Sequence, residues 1–231
     1  MDTITQKKWN KLLVLARAGT SEAQWEIGYY FESGAIDKSG NILAKANPLK
    51  AYRWYKLSAE QGNASAQVAL SNLLSTGDGI SRNYESAINW AKKAIAQGHA
   101  SAAFNLGTIY RDQNKPKMPL WWYKQAASMG DNDALLQIGL CYLFGLGTKA
   151  DAGEAYSCLA KIIAGKSSAS CQRTKENALY WMAIIELLGK GKATKSLAHA
   201  RKMLESANAD LDHEQANEIL NIIGKSKYLP K

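Results

Sequence analysis

Residues 63–98 read NASAQVALSNLLSTGDGISRNYESAINWAKKAIAQG, and this stretch decides the fold. Its first half carries apolar residues at helical spacing around Ser71 and ends at Gly77. Its second half has Trp90 within an alanine-rich run that ends at Gly98. Spacings of three, four and eight residues place side chains on one helical stripe, and glycine supplies the left-handed cap after a helix. The stretch therefore predicts two helices joined by a turn.

The same pattern recurs along the chain. A small residue that follows an aliphatic one occurs at Gly28, Ser71, Gly107, Gly139 and Ala183. An alanine lies five residues before each of them, at Ala23, Ala66, Ala102, Ala134 and Ala178. Trp54, Trp90 and Trp122 each lie eight residues before a glycine, at Gly62, Gly98 and Gly130. Self-similarity at this period is the signature of a repeat architecture, so the sequence predicts about five two-helix repeats.

The residue types have a physical explanation. Small residues let paired helices approach closely, and Trp and Tyr fill the remaining space. A single helix pair buries only part of its apolar face, so stacked neighbours complete the core. The ends of such a stack need covers, and residues 2–17 and 211–224 read as amphipathic helices that would supply them.

The pattern Ala-x4-Leu-Gly-x2-Tyr-x2-Gly-x-Gly, followed by Ala-x2-Trp-Tyr-x3-Ala-Ala-x2-Gly, resembles the Sel-1-like repeat, a relative of the tetratricopeptide repeat. The resemblance covers about residues 18–209. It implies an all-α fold, a right-handed α/α superhelical solenoid that works as a protein-binding adaptor and carries no catalytic residues. Small bacterial proteins that resemble this family include regulators and immunity proteins that neutralise toxins.

The predicted organisation is a single repeat domain over residues 1–231 with a capping helix at each end. The segments are a cap at 1–17, repeats at 18–62, 63–98, 99–130, 131–173 and 174–209, and a C-terminal cap and tail at 210–231. The copies are uneven: the first carries an insert from Ile36 to Pro48, and the third lacks the glycine that ends its first helix. Inserts of this kind fall on loops, either as a binding feature or as tolerated surface variation.

Composition limits the classes of function. The chain is 46% hydrophobic and 21% charged, which is typical of a folded protein. It contains no apolar run long enough for a membrane span and no secretory signal, so we expect a cytoplasmic protein. The odd count of cysteines fits a reducing compartment; we expect Cys141 and Cys158 to be buried thiols and Cys171 to lie in a loop.

The sequence contains no motif for catalysis, for metal binding or for cofactor binding. His99, His199 and His213 are far apart in sequence and lack partners at metal-binding spacing. Paired glycines such as Gly145 and Gly147 recur with the repeat, so we interpret them as turns and not as a phosphate loop. The sequence therefore predicts a protein that is not an enzyme and holds no cofactor.

The net charge is +9, and most of the excess lies between Lys161 and Lys202, with nine bases and two acids. A basic face favours an acidic partner. We therefore expect a partner-binding face at Lys190, Lys192, Lys195 and Arg201. Nucleic-acid binding is the weaker alternative, because several of these bases fall at helix ends and loops, where they simply solvate the surface.

In tetratricopeptide repeats the first helices line the concave surface, and the resemblance transfers this geometry to fixed positions in each copy. The expected groove residues are Trp25, Tyr29, Asn72, Phe104, Thr108, Arg111, Leu140 and Tyr180. Two alternatives stay open: the aromatic residues belong to the core, or the C-terminal helix folds back over Leu140 and Ile184. The predicted function is recognition of one specific protein, such as a cognate toxin effector, with a general adaptor in a signalling or secretion complex as the alternative.

Overall fold

The computed structural model describes residues 1–165, 172–189, 197–209 and 213–225. Within them the chain forms twelve helices and one small sheet. The helices are α1 (Gln6–Arg17), α2 (Ser21–Ser33), α3 (Pro48–Glu60), α4 (Ala64–Thr76), α5 (Tyr84–Ala96), α6 (Ala100–Asp112), α7 (Lys117–Ser128), α8 (Asp133–Phe144), α9 (Ala152–Ala164), α10 (Gln172–Leu187), α11 (Leu197–Ala207) and α12 (Glu214–Lys225). From α2 to α11 they form five consecutive pairs, so the predicted all-α fold of five two-helix repeats is confirmed.

The ends of the helices follow from their local sequences. Asn63 and Asn83 precede α4 and α5, and their side-chain oxygens accept hydrogen bonds from the third backbone N–H beyond them. Asparagine is favoured at this position because its carbonyl satisfies a donor that the helix leaves unpaired. Gly77 and Gly145 end α4 and α8 in the left-handed conformation that glycine adopts without strain. The predicted glycine caps are therefore confirmed at these two helices.

In the first two repeats the small residue at the centre of the first helix faces the second helix. A Cβ atom at Gly28 would lie 2.6 Å from Cδ1 of the buried Tyr55. Ser71 donates a hydrogen bond of 2.8 Å to the backbone carbonyl of Ala87. These contacts explain why the position accepts only small side chains, and they confirm the predicted close approach of the paired helices.

Two glutamines link successive repeats in the interior. Gln67 is buried, and its side-chain amide donates to the carbonyl of Ala59 at the end of the preceding helix. Its own carbonyl accepts from Gln97 at 2.9 Å. Gln24 and Gln61 form the same contact one repeat earlier, at 2.7 Å. Because these buried amides are paired, they fix the helix register without the cost of an unsatisfied polar group.

The insert of the first repeat folds as a hairpin. Strand β2 (Ala35–Ile36) pairs antiparallel with β3 (Ile42–Ala44), and β1 (Asp2–Thr3) pairs parallel with β2. Residues 2–17 were expected to form one helix; α1 instead begins at Gln6, since Asp2 and Thr3 use their backbone groups in the sheet and Thr5 caps the helix.

The described chain forms two compact units, Met1–Gln113 and Asn114–Lys231. The first contains the sheet and α1 to α6, and the second contains α7 to α12. The boundary therefore lies inside the third repeat, at the turn where the expected glycine is missing. Asn114, one residue after the position of that glycine, adopts a positive φ of 54°.

Candidate protein-binding groove

The first unit carries an open groove on the first helices of three successive repeats. Its volume is about 350 Å³. The residues that line it are Trp25, Tyr29 and Glu32 on α2, Tyr55 on α3, Ser65, Val68, Ala69 and Asn72 on α4, His99 before α6, and Ser101 and Asn105 on α6. Trp25, Tyr29 and Glu32 lie four and three residues apart, so one stripe of α2 forms the aromatic wall.

The wall of the groove combines aromatic and polar surface. Tyr29 is 43% exposed, whereas Trp25 is half-buried against its neighbours. At the base, the hydroxyl of Tyr55 donates to a carboxylate oxygen of Glu32 at 2.5 Å. Burial, together with this hydrogen bond, raises the pKa of Tyr55 far above its ordinary value. The Tyr55 proton therefore stays in place at any physiological pH and fixes the direction of the Glu32 side chain.

A second polar network lies beside the exposed Tyr29. The hydroxyl of Ser33 donates to Asp2 at 2.7 Å, and this bond lowers the pKa of the Asp2 carboxyl. A hydrogen bond with Asp2 raises the pKa of Tyr29. Because Asp2 is held in the small sheet, the N-terminal strand lies beside an aromatic side chain of the groove. The sequence analysis missed this role because it placed Asp2 in the N-terminal capping helix.

The structure brings together only part of the predicted groove. Trp25, Tyr29 and Asn72 share it. Phe104, Thr108 and Arg111 lie on α6 but do not line it; that helix contributes Ser101 and Asn105 instead. Phe104 and Thr108 are half-buried, and Arg111 is paired with Asp112 at 3.2 Å.

The two predicted groove residues of the second unit lie in separate surroundings. Leu140 is half-buried on α8. Tyr180 stacks on His213, with ring centroids 4.9 Å apart, and its neighbours in the same core cluster include Ile219 and Leu220 of α12. The C-terminal helix thus reaches the helix α10 that carries Tyr180; its expected cover over Leu140 and Ile184 stays a prediction.

The predicted basic face is described only in part. Lys190, Lys192 and Lys195 lie outside the described residues. Arg201 is exposed on α11 and forms an ion pair with Glu205 at 3.0 Å. The thiols of Cys141 and Cys158 are both buried, as predicted. Cys171 also lies outside the described residues.

Sequence inspection missed a second recess, which we call the basic-rimmed pocket. It is lined by Leu13, Arg17, Phe31, Lys50, Arg53, Trp54 and Leu57, and its volume is about 350 Å³. Trp54 had been interpreted as a core residue of the repeat. The available signal was charge: α1 has four bases and no acid, and α3 has three bases and one acid.

In the described part of the chain, no three His, Cys, Asp or Glu side chains are grouped so that they could hold a metal ion. No helix within the same residues combines the length and apolar character needed to cross a membrane.

The fold and the groove define a helical-repeat protein of the α/α class, in which stacked helix pairs present a binding surface. A family model described as the Sel1 repeat matches residues 21–63, 64–99, 100–131, 132–165 and 177–209. The chain belongs to the Sel1 repeat family. The five matched segments follow the order of the five predicted copies; the first and last begin three residues later than expected, and the fourth ends at residue 165 instead of 173.

Similar proteins come from bacteria and yeast. An uncharacterized protein of Neisseria meningitidis serogroup B is 30% identical over 64% of this chain and 29% of its own length. Chitin synthase regulatory factor 4 of Schizosaccharomyces pombe is 28% identical over 53% of this chain and 18% of its own. The chain thus spans less than a third of either relative.

Solved structures share the fold over nearly the whole chain. A protective antigen of uropathogenic Escherichia coli is 30% identical with a TM-score of 0.74, over 91% of this chain and 42% of the antigen. A Sel1 repeat protein from Oxalobacter formigenes is 26% identical with a TM-score of 0.70, over 94% of this chain and 88% of its own. The repeat fold is therefore shared with proteins of experimentally determined structure.

Proposed function

We propose that this chain is a non-catalytic binding protein and that the groove on α2, α4 and α6 holds a segment of one specific partner protein. The observation that carries the proposal is the aromatic wall of the half-buried Trp25 and the exposed Tyr29 in a preformed groove. Aromatic side chains dominate the binding energy of protein interfaces because they bury a large area with few rotatable bonds.

The opposite wall supplies polar groups that suit a peptide backbone. The side-chain amides of Asn72 and Asn105 form no hydrogen bond with the described residues, although both line the groove. An amide both donates and accepts, so each can pair with a backbone N–H or carbonyl of a bound segment. The groove therefore offers one aromatic anchor and two backbone partners, which suits an extended segment better than a folded surface.

The identity of the partner is the finer part of the proposal. We propose a cognate toxin effector with an acidic surface, which would make the chain a bacterial immunity protein. The alternative is an adaptor in a signalling or secretion complex; one similar yeast protein is called a regulatory factor of chitin synthase. Co-expression separates the two, because only an immunity protein would restore growth to cells that produce a toxin encoded beside its gene.

The decisive experiment measures binding with matched variants. A partner captured from the native host is identified by mass spectrometry, produced separately and titrated calorimetrically against the full chain. We expect Trp25→Ala/Tyr29→Ala to weaken binding by about tenfold or more. The control is Trp121→Ala, which removes an aromatic side chain that is 51% exposed outside the groove. Equal affinity of all three proteins for the partner would refute the groove as the binding site.

A further inference from the structure

The basic-rimmed pocket lies on a different side of the first unit from the groove. Successive residues of a helix point about 100° apart, so Phe31 in the pocket and Tyr29 in the groove face nearly opposite directions from α2. The neighbours Trp54 and Tyr55 point about 100° apart from α3, and they too are divided between the pocket and the groove. A ligand of one site therefore does not occupy the other.

The floor of the pocket is apolar and accessible. Leu13, Phe31 and Trp54 are half-buried, and Leu57 is 46% exposed at the edge. The recess matches the lower end of ligand pockets, about 300 Å³, and thus accommodates one large apolar side chain. The corresponding tryptophan of the next repeat, Trp90, is different, because Lys93 lies over its ring at 4.0 Å.

The rim of the pocket carries only positive charge. Arg17, Lys50 and Arg53 line it, and no acidic residue does. In the part of the chain that the structure describes, none of the three forms an ion pair. Lys50 instead lies 5.2 Å from the ring of Phe31, where it covers an apolar surface with a cation. An uncompensated set of cations around one apolar recess attracts a ligand in which carboxylates flank an apolar group.

We propose that the basic-rimmed pocket binds an acidic peptide segment of a partner protein, with one aromatic side chain against Trp54 and flanking carboxylates paired with Arg17, Lys50 and Arg53. Charge complementarity determines the choice of occupant. A strand of nucleic acid would use an open row of stacking surfaces, whereas the pocket offers one recess of side-chain size. This site goes beyond the groove and does not depend on it.

The test uses three short capped peptides and the full chain. The peptides are Glu-Asp-Phe-Glu-Asp, Glu-Asp-Gly-Glu-Asp without the aromatic residue, and Lys-Arg-Phe-Arg-Lys with the opposite charge. Binding is measured by calorimetry and by the NMR signals of the tryptophan indoles. We expect only the first peptide to bind and to shift one indole signal, that of Trp54, and we expect its affinity to fall in high salt.

Two variants address the site, and two serve as controls. Lys50→Glu/Arg53→Glu should weaken binding of the first peptide by about tenfold. Leu57→Glu changes an exposed position, so the fold is retained while a repelling charge is added at the pocket. Lys92→Glu/Lys93→Glu makes the same charge change on α5 and should leave binding unchanged. Tyr29→Ala, in the groove, should do the same even if the groove proposal fails.

Several outcomes of these experiments would overturn the proposal. It is overturned if all three peptides bind alike, if the first peptide does not bind, or if both site variants bind it as well as the wild type. Preferential binding of single-stranded DNA or of anionic phospholipid vesicles at this pocket, with no binding of the acidic peptide, would also overturn it.

Discussion

Replacement of Gly28 by alanine should destabilise the first unit. A methyl group at this position would lie 2.6 and 2.7 Å from two ring carbons of Tyr55, whereas ordinary contacts begin near 3.4 Å. Tyr55 is 1% exposed, and its hydroxyl is held by Glu32. The ring cannot turn aside without strain in the core or loss of that hydrogen bond.

The expected change in the free energy of unfolding is the balance of two destabilising contributions and one stabilising contribution. Overpacking of a core costs about 1–3 kcal/mol, and a weakened hydrogen bond to a charged acceptor costs up to about 1.5–3 kcal/mol. Alanine is favoured over glycine in a helix interior by about 1 kcal/mol. The free energy of unfolding should therefore fall by about 2 kcal/mol, although alanine is the better helix former.

A double-mutant cycle identifies the cause. In a Tyr55→Ala background the methyl group meets no ring, so Gly28→Ala should be neutral or should stabilise the protein by up to about 1 kcal/mol. The free energies of the four proteins come from urea unfolding followed by circular dichroism. If Gly28→Ala has the same effect with and without the Tyr55 ring, the close approach of α2 and α3 does not explain the glycine.

Three further predictions concern polar and titratable groups. Tyr55→Phe should lower the free energy of unfolding at neutral pH, because it removes the hydrogen bond to Glu32. The folded-state pKa of Tyr55 is raised, so the stability that its hydroxyl contributes is complete below pH of about 10 and is lost above it. In urea unfolding the difference from wild type should therefore shrink in alkali, and a constant difference would contradict this. Asn83→Ala should cost about 1 kcal/mol in the same assay, because it removes the cap of α5, and an unchanged midpoint would contradict that role. In a Cys171→Ser variant, Cys141 and Cys158 should react with a thiol reagent only after unfolding. Both thiols are buried, and burial raises the pKa of Cys158. Rapid modification of the native protein would refute their placement.

The repeat register could be predicted from the sequence because its determinants are local. The small residues Gly28 and Ser71 are each required by one contact between paired helices, and Gly77 is required by one left-handed backbone conformation. The same is true of the two buried thiols, which lie at apolar positions of helices. Periodicity thus predicts helix pairs well, since each pair repeats the same short-range geometry.

The candidate sites could be predicted only in part because they depend on contacts across long stretches of sequence. The positions of Trp25 and Tyr29 on one helix fixed the aromatic wall, but the role of Asp2 depends on a strand pairing 33 residues away. The basic-rimmed pocket was missed because Trp54 occupies the tryptophan position that the other repeats share. The accessibility of the pocket depends on how α1 packs, and α1 lies outside the repeats, so the repeat pattern does not predict it.

The boundary between the two compact units has a consequence for how such a protein changes over time. Duplication or loss of one sequence repeat moves α6 and α7 together, yet α6 folds with the first unit and α7 with the second. The sequence repeat, which is duplicated or lost as a whole, is therefore not the same segment as the compact unit. A fragment that ends after residue 99 respects the genetic module but removes the last helix of the first unit, whereas one that ends at Gln113 divides a repeat and keeps that unit whole.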